Sequence, residues 1–121
     1  MAGSLEFRGV FAYPLTPTRD DGARVDEKRL CELIDEFLEA GCDGIVVLGS
    51  TGAIGSFSED ERKSLAKAAA THINGRVPLI VGTGAMTTEE TKRLSLHAQS
   101  VGAAGLQVVP MSHWPLTDAE I

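Results

Sequence analysis

Apolar residues fall along this chain in two alternating rhythms. Short, nearly unbroken aliphatic runs, IVVL at 45–48, VPLIV at 77–81 and LQVV at 106–109, are separated by longer segments in which apolar residues recur every three or four positions. An unbroken run suits a strand covered on both faces, as in a parallel sheet; the wider spacing suits one face of a helix. Leu30, Leu33, Ile34, Phe37 and Leu38 share one helical face, Leu65, Ala69 and Ile73 a second, and Thr91, Leu94, Ala98 and Val101 a third. A first strand is read over 9–16 (GVFAYPLT), ending at Pro17, with a turn at Asp20-Asp21-Gly22. The pattern predicts strands near 9–16, 44–49, 77–82 and 105–110, and helices near 26–40, 58–73 and 87–101.

Punctuation residues support this phasing. Asp26 is placed as a helix N-cap, and Ser58 to Glu61 and Thr87 to Glu90 each spell a capping box. Gly41 and Asn74-Gly75 stop the first two helices. A weak repeat relates residues 40–47 to 101–108: each has a glycine, two residues, a second glycine, then an aliphatic strand. Strand starts about 28 to 35 residues apart match the length of a βα unit, and repeated units build a parallel sheet. Thr117-Asp118-Ala119-Glu120 reads as a third capping box, with Ile121 as the first apolar position of another helix. The expected fold class is therefore α/β: parallel βα repeats forming the first four strands of a (β/α)8 TIM barrel, truncated at the start of the helix after strand four. Residues 1–8 are read as an N-terminal tail and 9–121 as the half-barrel. A complete four-stranded flavodoxin-like sheet with a frayed tail is the alternative.

Composition narrows the partners. The chain carries 11 Lys and Arg against 17 Asp and Glu, a net charge of −6. An acidic surface repels phosphate backbones and anionic lipid, so nucleic acid and membrane are not expected partners. Residues 1–7 hold no apolar leader, and no aliphatic run approaches the length of a membrane span, so a cytoplasmic location is expected. Cys31 and Cys42 read as reduced structural thiols, and no zinc-type spacing is present. Neither a metal nor a cofactor is expected.

In a parallel α/β sheet, function gathers in the loops after the strand C-termini. Those loops hold Thr16-Pro17, then residues 49–55, then Gly82-Thr83-Gly84, then residues 110–115 with Ser112, His113 and Trp114. The second, Gly49-Ser50-Thr51-Gly52-Ala53-Ile54-Gly55, carries the sharpest signal. Its glycines allow close backbone approach, successive N–H groups can converge on an anion, and Ser50 and Thr51 add hydroxyls. The spacing matches neither the dinucleotide nor the P-loop fingerprint. A small carboxylate or phosphate is one reading; a turn that only joins strand to helix is the other.

The order of four pieces makes the chain familiar: Leu15-Thr16-Pro17 with Asp21-Gly22 and Val25-Asp26, then Gly49-Ser50-Thr51-Gly52, then Gly82-Thr83-Gly84, then Pro110. Over residues 9–121 the chain resembles the dihydrodipicolinate synthase and N-acetylneuraminate lyase family. The resemblance implies a homo-oligomeric barrel lyase acting on pyruvate or another 2-oxo acid, with a strand-six lysine forming a Schiff base with the keto carbon. It implies that Thr51, with its backbone N–H, and Gly49 and Gly52 hold the substrate carboxylate. Ser50 takes the proton-relay position. Thr16, Thr83, Ser112 and His113 are further candidates. Two features depart from the family pattern. Its Pro-Tyr-Tyr is Pro110-Met111-Ser112 here, leaving Ser112 or His113 to replace the relay tyrosine, and its glutamate after the second loop glycine is Ala53. Lys28, Lys63, Lys67 and Lys92 all fall in predicted helices, so the catalytic lysine is expected to be absent and the 121-residue chain inactive alone. Pairing with the missing C-terminal half or with another copy is expected, and a non-catalytic anion-binding or oligomerising module remains the alternative.

Overall fold

A computed structural model describes residues 6–112 and 114–121. Its elements are β1 (Phe11–Ala12), β2 (Thr18–Arg19), β3 (Arg24–Val25), α1 (Glu27–Glu39), β4 (Gly44–Val47), α2 (Glu59–Ile73), β5 (Leu79–Gly82), α3 (Thr88–Ser100) and β6 (Gly105–Gln107). Strands β1, β4, β5 and β6 form one sheet in that order, each parallel to its neighbour. A doubly wound flavodoxin-like sheet would instead reverse direction at its first strand. Monotonic order, with α2 packed between α1 and α3, is the arc of a barrel wall.

The helices begin where their caps dictate. The Asp26 carboxylate accepts from the Arg29 N–H at 3.0 Å. At Ser58 the capping box is complete: Ser58 Oγ accepts from the Glu61 N–H at 3.2 Å and Glu61 accepts from the Ser58 N–H at 3.0 Å. The Thr87 box is half formed, because Thr87 Oγ1 accepts from the Glu90 N–H at 3.2 Å with no return bond from the Glu90 side chain. At Thr117 the expected box does not start a helix. The Thr117 N–H and hydroxyl both donate to the Glu120 carboxylate, and residues 118–120 make a single turn.

All four strands of the sheet are shorter than predicted, most of all β1, which runs over Phe11–Ala12, and β6, over Gly105–Gln107. Pro14, Pro17 and Pro110 have no N–H to give a ladder, which limits both. The Asp20-Asp21-Gly22 turn joins a small antiparallel hairpin, β2 with β3, that the pattern did not announce. Two residues per strand are too few for periodicity to register.

Ile45, Val47, Leu79 and Val81 face the helices and pack with Leu30, Ile34, Leu65, Ala69, Ile73 and Ala98. Each such side chain contributes roughly 1.5–3 kcal/mol by leaving water. The opposite face, the barrel interior, is only partly bare. Val46 is buried there, Phe11 lies across Gly44, and Phe7 from the segment read as tail lies across Gly105 and meets Phe11 edge-on at 6.1 Å. IVVL is therefore covered on both faces within the chain itself, while Val10 and Leu15 flanking β1, Leu96 on α3, and Leu106, Val108 and Val109 at the β6 edge stay exposed.

Polar ties hold the helices together outside the core. His72 Nε2 and Asp35 Oδ1 are 2.9 Å apart between α2 and α1, and His72 with Arg76 holds the Asp35 carboxyl below its ordinary range. Between α2 and α3, Glu59 accepts from Arg93 Nε at 2.9 Å and Nη2 at 3.0 Å, and from Lys63 at 3.0 Å within α2. These cations pull the Glu59 carboxyl down from 4.5 to about 2. A depressed carboxyl stabilises the fold above its unfolded value and loses that contribution as pH falls through its folded value. Stability should therefore drop between about pH 4.5 and 2, and Glu59→Gln should flatten that drop in urea midpoints measured across the window. Equal losses in both proteins would show that the Glu59 cluster does not contribute.

Candidate functional site

The β4 strand ends in an unusual way. Leu48, buried, adopts a left-handed backbone with φ 58°, a conformation that costs a non-glycine residue on the order of 1–2 kcal/mol. It swings the following loop across the strand ends. Gly52 comes back so close to Leu48 that a methyl there would lie 3.0 Å from its backbone nitrogen and 3.3 Å from Thr16 Oγ1. The Thr16 hydroxyl donates to the Gly52 carbonyl at 2.7 Å, tying the first loop to the second. Within the loop, the Ala53 N–H donates to the Ser50 carbonyl at 3.0 Å and the Ile54 N–H to that of Gly49 at 3.4 Å. No acceptor among the described residues takes the N–H groups of Ser50, Thr51 or Gly52, nor the Ser50 and Thr51 hydroxyls. Ser50 and Thr51 are solvent-facing. The loop thus gathers uncommitted donors beside a buried backbone, an arrangement suited to an anionic oxygen.

Thr16, Gly49, Ser50, Thr51 and Gly52 come together at the C-terminal end of the sheet. Thr83 does not join them with its side chain. It is 1% exposed, and its hydroxyl accepts from Ser95 of α3 at 2.9 Å, on the helix side of the sheet. Ser112 is occupied locally, donating to the Trp114 carbonyl at 2.8 Å and accepting from the Trp114 N–H at 3.2 Å. Met111 instead packs on the core near Gly55. His113 lies outside the described residues. Lys28 sits on α1, Lys63 and Lys67 on α2 and Lys92 on α3.

Arg62 was not anticipated. It is 4% exposed, and its Nη2 donates to the Gly82 carbonyl at 3.2 Å and the Gly84 carbonyl at 2.9 Å, fastening the third loop to α2. Burial lowers its pKa, opposed by the charges of Glu90 and Glu59. The signal was present: Arg62 shares the stripe of Leu65, Ala69 and Ile73, where a charge must find buried acceptors. Tyr13 and Gln107 were also missed. The Tyr13 ring lies against Gly49, and Gln107 Nε2 reaches the Tyr13 hydroxyl at 3.5 Å.

Comparison with known proteins places this geometry. A family model described as the dihydrodipicolinate synthetase family matches residues 6–121. The 4-hydroxy-tetrahydrodipicolinate synthase of Nitrosomonas eutropha is 42% identical over 110 residues, 90% of this chain and 37% of that protein. Among solved structures, YagE of Escherichia coli K12, a prophage protein of the dihydrodipicolinic acid synthase family in complex with pyruvate, is similar with a TM-score of 0.85 and 38% identity, over 93% of this chain and 38% of that one. Dihydrodipicolinate synthase from Aquifex aeolicus gives a TM-score of 0.82 at 34% identity, over 90% of this chain and 37% of that one. The chain spans under two-fifths of the length of these relatives. The structural neighbours are TIM barrels, and the four parallel strands here form a half-barrel of the same kind.

Proposed function

The chain belongs to the dihydrodipicolinate synthetase family, and from that premise we propose that it supplies the carboxylate-binding part of a Schiff-base lyase or aldolase acting on pyruvate or another 2-oxo acid. The observation that carries the proposal is the loop after β4, where the N–H groups of Ser50, Thr51 and Gly52 and two hydroxyls stand uncommitted around a strained, buried Leu48. In this reading Thr51 and its N–H grip the carboxylate, with Gly49 and Gly52 shaping the cradle, while Ser50 serves as proton-relay hydroxyl. A lysine amine attacks the keto carbon, water leaves, and the resulting iminium stabilises a carbanion at the neighbouring carbon. None of the four lysines of this chain is suited to that step, since each rides a helix outside the sheet. Residues 9–121 make up the barrel portion, a second copy or the remaining barrel strands complete the wall, and the protein works in the cytoplasm, in keeping with Cys31 and Cys42 as free thiols.

The test is a titration of the chain with pyruvate, followed at the Ser50 and Thr51 amides by NMR. Thr51→Val keeps the shape and removes the hydroxyl, and should cost about 1 kcal/mol or more of binding. Borohydride should trap no adduct on Lys28, Lys63, Lys67 or Lys92. Unchanged affinity in Thr51→Val would remove Thr51 from the site, and a trapped adduct on one of the four lysines would overturn the assignment of the chemistry to a lysine elsewhere.

A further inference from the structure

The face of the sheet turned away from the helices is lined by Phe7, Phe11, Val46 and Ile80, and it ends in two polar tips beside the anion loop. Tyr13 follows Phe11 by two residues and so shares its face. Its ring lies against Gly49, where a methyl would stand 2.7 Å from the nearest ring carbon. Gln107, paired in register with Gly82, ends β6 on the same face, and its Oε1 would lie 3.6 Å from that methyl. The Gln107 backbone is fixed as its carbonyl accepts from the Thr83 N–H at 3.0 Å.

The direction of the contact between the two tips matters. Gln107 Nε2–H donates to the Tyr13 hydroxyl oxygen at 3.5 Å. That bond uses a lone pair of the phenol and leaves its proton available. No acceptor among the described residues takes that proton. Tyr13 is 42% exposed, so the hydroxyl is reachable from solvent at the mouth of the sheet. It stands over Gly49, the first residue of the loop whose uncommitted donors suit an anionic oxygen.

We propose that Tyr13 is a specificity-determining residue that donates its phenolic proton to the keto oxygen of a 2-oxo acid held by its carboxylate at residues 49–52, with Gln107 positioning the hydroxyl. The inference rests on the carboxylate-loop reading above and adds to it the group that tells a 2-oxo acid from a simple carboxylate. In such an acid the keto carbon adjoins the carboxylate, so a donor over Gly49 meets the next oxygen along the ligand. A hydrogen bond from a neutral donor to that oxygen is worth about a tenfold preference.

Tyr13 is the only tyrosine of the chain, so 3-fluorotyrosine labels this site alone. The experiment titrates the labelled chain with pyruvate and with propionate, which keeps the carboxylate and lacks the keto oxygen, and repeats both titrations by amide NMR on Tyr13→Phe, Gln107→Leu and Thr51→Val. Pyruvate is expected to bind about tenfold tighter than propionate and to move the fluorine resonance. Tyr13→Phe should erase that preference by weakening pyruvate alone, with an unchanged melting temperature, and Gln107→Leu should erase part of it. Thr51→Val should weaken both ligands. If pyruvate binds, Thr51→Val weakens it and Tyr13→Phe does not, the role of Tyr13 is overturned and the loop reading stands. If neither ligand shifts the Ser50 and Thr51 amides, the loop reading fails and the role of Tyr13 with it.

Discussion

Gly82→Ala is expected to lower the melting temperature of the chain by more than about 10 °C, far beyond the effect of the same change at Gly75. The reason is local. A methyl on Gly82 would run into the carbonyl oxygen of Leu48, with the Leu48 carbonyl carbon 2.7 Å away and Ile54 Cδ1 at 3.1 Å. Leu48 is already in the left-handed region at φ 58° and is buried, so it has little room to retreat. Gly82 cannot retreat either, because its carbonyl accepts from buried Arg62 and its strand is paired on both sides, to Val47 through Val81 and to Gln107 directly. Overpacking with both walls made of backbone belongs at the upper end of its usual cost, roughly 3 kcal/mol or more. A small domain has only about 5–15 kcal/mol in total. Gly75→Ala is the control: Gly75 has φ +77° but nothing within 4 Å of an added methyl, so it should lose only about 1 kcal/mol from backbone strain. Thermal melts by circular dichroism compare the two. If Gly82→Ala melts within a few degrees of Gly75→Ala, the packing of the β5 end against Leu48 is looser than described, and the loop it braces is not rigid.

Much of this arrangement is legible in the sequence, and the illegible parts have physical reasons. All three helices start within one residue of the positions that Asp26, Ser58 and Thr87 mark, because a side-chain cap is a local interaction between residues three apart. The buried strands announce themselves because IVVL and LIV must be apolar on both faces. What periodicity does not carry is direction at a strand end. Thr83 reads as a loop hydroxyl beside the site, yet it keeps the alternation of β5 for one more residue and turns to Ser95 on the helix side. Leu48 breaks its alternation instead, through a positive φ that nothing in a leucine advertises. Tyr13 and Gln107 are separated by 94 residues and meet only because β1 and β6 flank the same short arc. The covering of the interior face by Phe7 was hidden for the same reason: a side chain in a segment without secondary structure reaches Gly105 only in three dimensions.

The 121-residue chain is expected to self-associate rather than persist as a free monomer. Strands β1 and β6 are both edges of the four-stranded sheet, each with an unpaired row of backbone donors and acceptors. The β6 edge is also apolar: Leu106 is 43% exposed, Val108 57% and Trp114 69%. Val108 and Trp114 line a cleft of about 840 Å³ between α3 and the segment after β6, together with Met86, Leu96, Met111 and Ile121. Covering each large apolar side chain returns roughly 1.5–3 kcal/mol, so three or four of them rival the whole stability of a small domain. Apolar area of that kind on one edge favours a two-fold pair, in which each copy covers the other with the same surface. Pairing with the remaining strands of a barrel would cover the same edge. Trp114 is the only tryptophan, so its emission reports this surface alone. Sedimentation and fluorescence over a dilution series from about 100 μM to 1 μM should show a dimer whose Trp114 emission moves to longer wavelength as it dissociates. Trp114→Ser should shift the equilibrium toward monomer by tenfold or more, the worth of about 1.4 kcal/mol. A monomer at every concentration, melting cooperatively with unchanged Trp114 emission, would mean that the bare β6 edge costs less than its area implies and that this half-barrel is a self-sufficient domain.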